Sequence, residues 1–264
     1  MSKELLGSLE LNRIYQMDCL DGMKLIPDKS VDLIIADPPY YKIVKEDWDN
    51  QWKNENEYIE WCLKWTNESF RILKEGGLLY VWGAIGKHKE HPFLKYIFEV
   101  ENKTEFTFLN FITMRNFRVF GNSKHFPFGR QELVVFSKGK HITYHKQYTD
   151  FEGTNRLGKP KLVTNIWLDC KDVSLFNKKN AHPTEKPELS SERIILSSSN
   201  EGDIIVVPFS GSGVDCMMSK KHNRKFIAFE TNPEYIKIGN IRLESVYNEI
   251  DDQKILKNSG LLDS

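Results

Sequence analysis

The chain has 264 residues, 40% hydrophobic and 28% charged, with a formal net charge of zero, long enough for one large or two modest domains around a substantial core. Its ordinary globular composition, without internal repeat, low-complexity segment or apolar run of membrane-spanning length, excludes a fibrous or membrane-embedded polypeptide. Cys19, Cys62, Cys170 and Cys216 are scattered without paired spacing, which excludes a zinc pattern and a disulfide framework; the start carries no apolar secretion signal, so the expected location is cytoplasmic.

Residues 13–17 form a short strand candidate ending at Asp18-Cys19, where an aspartate suits a helix start. A brief helix over 20–26 and a Pro27-Asp28-Lys29 turn follow. Residues 31–36 are too short for a helix and read as a buried strand, which runs into Asp37-Pro38-Pro39-Tyr40. The two prolines donate no backbone hydrogen bond, and Pro38 biases Asp37 toward extended backbone, so the corner is stiff. It stands at the carboxyl end of a strand, where open α/β sheets place their ligands. One carboxylate, free carbonyls and one ring suit a planar amino group. Asp37 and the Pro38 carbonyl can each accept one N–H, and Tyr40 can stack on the ring that carries the amine, a contact worth about 1–3 kcal/mol per base. The same residues also suit a strand-ending turn with a solvated carboxylate, and the motif alone does not choose.

The polar stretch 45–52, with Trp48 and Trp52, reads as a loop. The spacing predicts a helix over 58–73, ended by Gly76-Gly77, and a strand over 78–82. A helix over 92–100 and a strand over 105–113 come next. Residues 114–131 then mix Arg115, Arg118, Lys124, His125 and Arg130 with four phenylalanines. Basic residues interleaved with aromatics can hold phosphates and stack or wedge bases; the alternative is a buried aromatic cluster edged by surface charge. Between residues 112 and 161 there are ten Lys/Arg against three Asp/Glu, which leaves the remainder acidic by the same margin and suits a basic face on a protein neutral as a whole. A strand returns over 132–137, and residues 138–180 have weak periodicity.

His182-Pro183-Thr184-Glu185-Lys186-Pro187 leads into a helix over 189–198, with Pro187 near its first turn and Glu188 favourable to its dipole. Thr184 and Lys186 carry groups able to meet a carboxylate. A strand over 203–207 is followed by Pro208-Phe209-Ser210-Gly211-Ser212-Gly213 and a helix over 214–221. Glycines let the backbone turn sharply beside a ligand, and the helix start adds free N–H donors. A further strand over 225–229 ends at Glu230-Thr231. A closing helix runs toward 247, and residues past about 251 read as a polar tail.

Asp-Pro-Pro-Tyr, His-Pro-Thr-Glu-Lys-Pro and Pro-Phe-Ser-Gly-Ser-Gly in this order resemble the amino-methylating DNA methyltransferases of the permuted β class, with the catalytic motif ahead of the glycine loop. The resemblance spans residues 13–243. It implies a Rossmann-like, doubly wound, mostly parallel seven-stranded α/β sheet with an inserted recognition segment. The implied division is a catalytic half over 1–137, a target-recognition segment over 138–180, a cofactor-binding half over 181–250 and a tail over 251–264. It implies transfer of a methyl group from S-adenosyl-L-methionine to N6 of adenine in double-stranded DNA, on a base extruded from the stack, with no metal, in a restriction–modification system. Asp37, Pro38, Pro39 and Tyr40 would be catalytic. Asp18, Cys19, Asp37, Thr184, Lys186, Phe209, Ser210, Gly211, Ser212, Gly213, Glu230 and Thr231 would hold the cofactor, with Asp18 beside the adenine and Glu230 on the ribose hydroxyls. Trp48, in the closing loop, and Arg115, Arg118, Lys124, His125 and Arg130 would meet DNA. A homodimer and a cognate endonuclease are the further partners the resemblance admits.

Two positions depart from the family pattern. Val207 and Val214 stand where an acidic residue and a threonine usually flank the cofactor's methionine end. They leave room for a catalytically decayed DNA-binding relative, although an intact Asp-Pro-Pro-Tyr favours an enzyme. N4-cytosine methylation is the other reading, since such enzymes usually carry serine in place of the aspartate; an RNA substrate is disfavoured by the motif order.

Overall fold

The computed structural model describes residues 3–42, 47–85, 92–120, 126, 128–170 and 185–258. A small hairpin, β1 (Leu5–Leu6) and β2 (Leu9–Glu10), precedes the main sheet. Then come β3 (Arg13–Gln16), α1 (Cys19–Lys24), β4 (Val31–Ala36), a 3-10 turn (Asp47–Asp49), α2 (Glu55–Ile72), β5 (Leu73–Gly83), α3 (Pro92–Lys103), β6 (Thr107–Phe120) and β7 (Phe128–Ser137). The second half carries β8 (Tyr148–Thr154), β9 (Pro160–Leu162), β10 (Ile166–Trp167), α4 (Glu188–Ser198), β11 (Ile204–Val207), α5 (Val214–Lys221), β12 (Lys225–Glu230) and α6 (Pro233–Asn258).

Eight strands form one sheet in the order β10-β6-β7-β5-β4-β11-β12-β3. All neighbours are parallel except β7, which runs antiparallel to both β5 and β6. The expected seven strands are present, and the two-residue β10 joins the edge from the 138–180 segment. The central strands are apolar throughout because both faces of the sheet are covered. In β4 the period of two sends Ile34 and Ala36 to a core shared with α1, α2 and α3, and Leu33 and Ile35 to a second core shared with α4, α5 and α6.

The elements differ from the sequence reading at three places. Gly76-Gly77 do not end α2. The helix stops at Ile72, and β5 already starts at Leu73; Gly76, at φ +85°, sits inside the strand, where its backbone presses against the His141 carbonyl and a side chain would not fit. The strands expected over 105–113 and 132–137 reach into the basic and aromatic stretch, β6 to Phe120 and β7 from Phe128. They form a long hairpin in which Arg115 faces Arg130. The suggested polar tail is helical as far as Asn258, the continuation of α6.

Connection order reverses between β4 and β11. From β4 the chain proceeds outward to β5, whereas β11 leads the other way to β12 and β3. Adjacent helices on opposite faces therefore leave a crevice at the carboxyl ends of these two strands. Asp37 follows β4 directly, and Pro208 follows β11. Two stretches 171 residues apart in sequence are thereby made neighbours.

Candidate active site

A cavity of about 270 Å³ opens in that crevice. The ends of four consecutive parallel strands line it: Met17, Asp18 and Cys19 after β3, Asp37 to Tyr40 after β4, Pro208 to Ser212 after β11, and Glu230 to Asn232 after β12. Trp48, Asp49, Trp61, Lys186, Val214 and Asp215 close its sides.

The Asp-Pro-Pro-Tyr corner is held from several directions. Tyr58 on α2 donates its hydroxyl to the Pro39 carbonyl at 2.7 Å. The Tyr40 N–H donates to Asp49 Oδ1 at 2.6 Å, and Asp49 is fully buried. Beyond Tyr40 the chain turns through two left-handed residues, Tyr41 at φ +63° and Lys42 at φ +60°. A bulky residue tolerates that conformation only where packing fixes it, and the Tyr41 ring is buried 5.4 Å from the Tyr58 ring.

Both oxygens of Asp37 are engaged. The Tyr40 hydroxyl donates to Oδ1, and Lys186 Nζ donates to Oδ2 at 2.7 Å and to the Tyr40 hydroxyl at 2.7 Å. Burial first, and then the neighbouring Asp37 carboxylate, push the Tyr40 hydroxyl well above its usual range, so it remains a donor. Lys186 was expected to meet the cofactor's carboxylate; in the structure its ammonium is paired with the Asp37 carboxylate. Next to it, Glu185 receives Arg242 from α6 at 2.8 Å and the Ser212 hydroxyl at 2.5 Å, tying the segment before α4 to the glycine turn.

The glycine turn has the shape the sequence suggested. Gly211 and Gly213 take φ of +49° and +81°, and a Cβ on Gly213 would meet the Gly239 Cα at 2.8 Å, so backbone there packs on backbone. Glu230 has a role the sequence did not disclose. Its Oε2 accepts the Gly211 N–H at 2.9 Å, and its Oε1 accepts those of Thr231 and Asn232 at 2.9 and 2.8 Å. A carboxylate has about four lone-pair sites, so sugar hydroxyls remain within its capacity. Asp18 caps α1 by accepting the Leu20 N–H at 2.8 Å, the helix-start role, and also lines the cavity. Phe209 is wedged against Trp61 and Trp65, ring centroids 5.6 and 5.5 Å away.

Two buried polar atoms of lining residues, Ser210 Oγ and Asp215 Oδ1, have no hydrogen-bond partner among the described residues. Unpaired polar atoms beside a cavity are costly unless a ligand meets them. Together with the acidic groups on the β3 and β12 side and the aromatic wall, they fit a ligand carrying hydroxyls, an ammonium and a flat ring system, as S-adenosyl-L-methionine does.

Of the expected site residues, the structure brings Asp18, Cys19, Asp37, Pro38, Pro39, Tyr40, Trp48, Lys186, Phe209, Ser210, Gly211, Ser212, Glu230 and Thr231 to one cavity. Gly213 shapes the turn without lining it. Arg115 and Arg130 lie away from the cavity on the β6–β7 hairpin, exposed. Thr184, Lys124 and His125 fall outside the described residues, as does the side chain of Arg118. Sequence reasoning missed Asp49, Trp61, Glu185, Arg242 and Asp215. Only Asp215 had a local signal, an acidic residue in the first turn of a helix after a glycine bend.

The model of the N6/N4 DNA methylase family matches residues 31–240. Among curated proteins, the type II methyltransferase M.HpaI of Haemophilus parainfluenzae is 30% identical over 253 residues, 90% of this chain and 76% of its own length. The DNA adenine methyltransferase YhdJ of Escherichia coli is 30% identical over 256 residues, 89% of this chain and 83% of its length. Among solved structures, the cytosine-N4-specific PvuII DNA methyltransferase superposes with a TM-score of 0.69 at 19% identity, covering 90% of this chain and 91% of that one. Matched over most of its length by the family model and by relatives across 76% and 83% of their own lengths, and carrying that family's motifs on adjacent strand ends, the chain belongs to the N6/N4 DNA methylase family.

Proposed function

We propose that this protein is a site-specific DNA methyltransferase acting on N6 of adenine in double-stranded DNA, with a cognate endonuclease reading the same site. The observation that carries this reading is that the Asp37–Tyr40 corner and residues 208–212 of the glycine turn wall a single cavity. S-adenosyl-L-methionine supplies the methyl group there as an electrophilic sulfonium. The chain's own residues do the rest. Asp18, Glu230 and the glycine turn hold the nucleoside end. The Asp37 carboxylate and the Pro38 carbonyl draw the two amine hydrogens into the base plane, which leaves the nitrogen lone pair directed at the sulfonium side. Tyr40 provides the stacking ring, with its hydroxyl anchored on Asp37. Positioning and fixed dipoles account for the rate, and the amine's surplus proton leaves to solvent. Asp37 is an acceptor throughout, with the Lys186 ammonium 2.7 Å from its Oδ2.

DNA reaches this site along the β6–β7 hairpin. β7 is antiparallel to β5, and Glu132 pairs with Gly83 at the carboxyl end of β5, so Arg130 and its partner Arg115 project beyond the same sheet edge as Asp37. Arg130 is ion-paired with Glu132 at 2.7 Å, and exposed arginines on a strand pair are groups able to hold phosphates, in keeping with a DNA-facing arm. The division into a catalytic half, a recognition segment over 138–180 and a cofactor-binding half belongs to this reading, as do a homodimer and a cytoplasmic setting. No helix among the described residues is long and apolar enough to cross a membrane.

Mass spectrometry of nucleosides from DNA treated with the protein and S-adenosyl-L-methionine tests the proposal, with N6-methyladenine expected. The likeness in fold to a cytosine-N4-specific enzyme favours the second reading, N4-cytosine methylation, and N4-methylcytosine as the sole product would establish it in place of the first.

A further inference from the structure

Six carboxylates line the cavity, and five of them have work to do. Asp18 caps α1, Asp37 is paired with Lys186 and Tyr40, Asp49 receives the Tyr40 N–H, Glu185 receives Arg242 and Ser212, and Glu230 receives three backbone N–H groups. The sixth is Asp215, on the first turn of α5. Its Oδ1 is buried and has no partner among the described residues, while the hydroxyl of Ser191 on α4 hydrogen-bonds the carboxylate and fixes its place. Asp215 lines the cavity, and a buried carboxylate oxygen without a donor at a cavity wall is a standing cost, which a cationic ligand group reaching the carboxylate would reduce.

The surroundings specify which cation. Resting on the reading of the cavity as a methyl-donor site, the ligand has a nucleoside at one end and a zwitterionic amino acid at the other. The nucleoside end is accounted for by Asp18 and Glu230 on the β3 and β12 side. Asp215, in the first turn of α5, is within electrostatic reach of Asp37 and Lys186, and Lys186 is the one cation among the described lining residues. Val207 and Val214, on either side of the glycine turn, offer no charge. An α-carboxylate drawn to Lys186 and an α-ammonium at Asp215 would satisfy both poles of the amino acid.

We propose that Asp215 is the residue that receives the α-ammonium of the methyl donor. It is a specificity determinant of the cofactor site, distinct from the corner that holds the base. Its loss should weaken ligands that carry the amine and spare those that lack it. Loss of one charge-assisted contact of this kind costs about 10- to 100-fold in affinity.

The test is calorimetric titration of the wild-type chain and Asp215→Asn with S-adenosylhomocysteine and with its analogue lacking the α-amino group. The expected result is about 10- to 100-fold weaker binding of S-adenosylhomocysteine to Asp215→Asn, with the des-amino analogue bound equally by both proteins. Equal loss for both ligands, or no loss for either, overturns the proposal. If wild-type protein binds neither ligand, the methyl-donor reading itself fails, a separate and recognisable outcome. A crystal structure of the wild-type chain with S-adenosylhomocysteine decides the point without any variant: an amine within hydrogen-bond distance of Asp215 supports the assignment, and an amine held elsewhere refutes it.

Discussion

Lys186 Nζ lies 2.7 Å from Asp37 Oδ2, joining residues from two motifs 149 positions apart. The lysine side chain is only 4% exposed and the aspartate 19%. With Tyr40 on the other oxygen, each oxygen of the carboxylate already accepts one protein donor. A carboxylate has about four lone-pair sites, so each oxygen keeps room for one further donor, and an incoming α-carboxylate would compete for the lysine.

The first prediction concerns the pair itself. Removing one partner of a buried ion pair leaves the other charge uncompensated, at a cost of about 3–5 kcal/mol. Lys186→Met should therefore destabilise the chain by about 3 kcal/mol in urea titrations, and less in an Asp37→Asn background, where no charge is stranded. Additive losses in the double variant would show that the two side chains are not energetically coupled.

Asp37 is also the centre of the proposed chemistry. Asp37→Ala should abolish methylation, with a loss of at least about 100- to 1,000-fold in kcat, while S-adenosylhomocysteine affinity is largely retained. Equal turnover by variant and wild type would remove Asp37 from the mechanism.

Asp215 makes stability depend on pH. Burial, the largest cause, and the nearby Asp37 raise its carboxyl to about 6 from an ordinary 3.8. A raised acid binds its proton more tightly folded than unfolded, so its contribution is most favourable below about pH 4 and is lost as pH rises through about 6. Asp215→Asn should thus be more stable than wild type at pH 8, by up to about 3 kcal/mol, with the advantage shrinking toward pH 4. Denaturant titrations of both proteins at pH 4, 6 and 8 measure it; a difference independent of pH would contradict the raised acidity constant.

The arginine arm predicts a salt signature. If Arg115 and Arg130 each meet a phosphate, substituting either by alanine should weaken binding to cognate and non-cognate duplexes alike and reduce the slope of log K against log salt by about 0.9. Fluorescence anisotropy over a range of salt concentrations reads both quantities. Unchanged slopes would place the DNA elsewhere.

Local sequence was enough for the main elements. Val31–Ala36, Ile204–Val207 and Lys225–Glu230 are short apolar runs bounded by proline, glycine or charge, and α5 begins and ends where its glycine bend and its periodicity placed it. A strand buried on both faces and a glycine turn are written in consecutive residues, and the three motifs in order identify the family. The misplaced end of α2 shows the limit: β5 begins at Leu73, paired to Val31, and the gain from extending a sheet outweighed the turn signal of two glycines.

What the tertiary structure alone decided is which charges meet. Nothing near Lys186 announces that it pairs with Asp37, nothing in the polar stretch before α2 marks Asp49 as the acceptor for the Tyr40 N–H, and Arg242 on α6 gives no hint of Glu185. Electrostatic partners depend on distance in space and on burial, and both are set by the strand order that lays the ends of β4 and β11 side by side. The chain specified the groups it carries; the parallel sheet determined that Asp215 would line the cavity with one buried oxygen lacking a partner among the described residues.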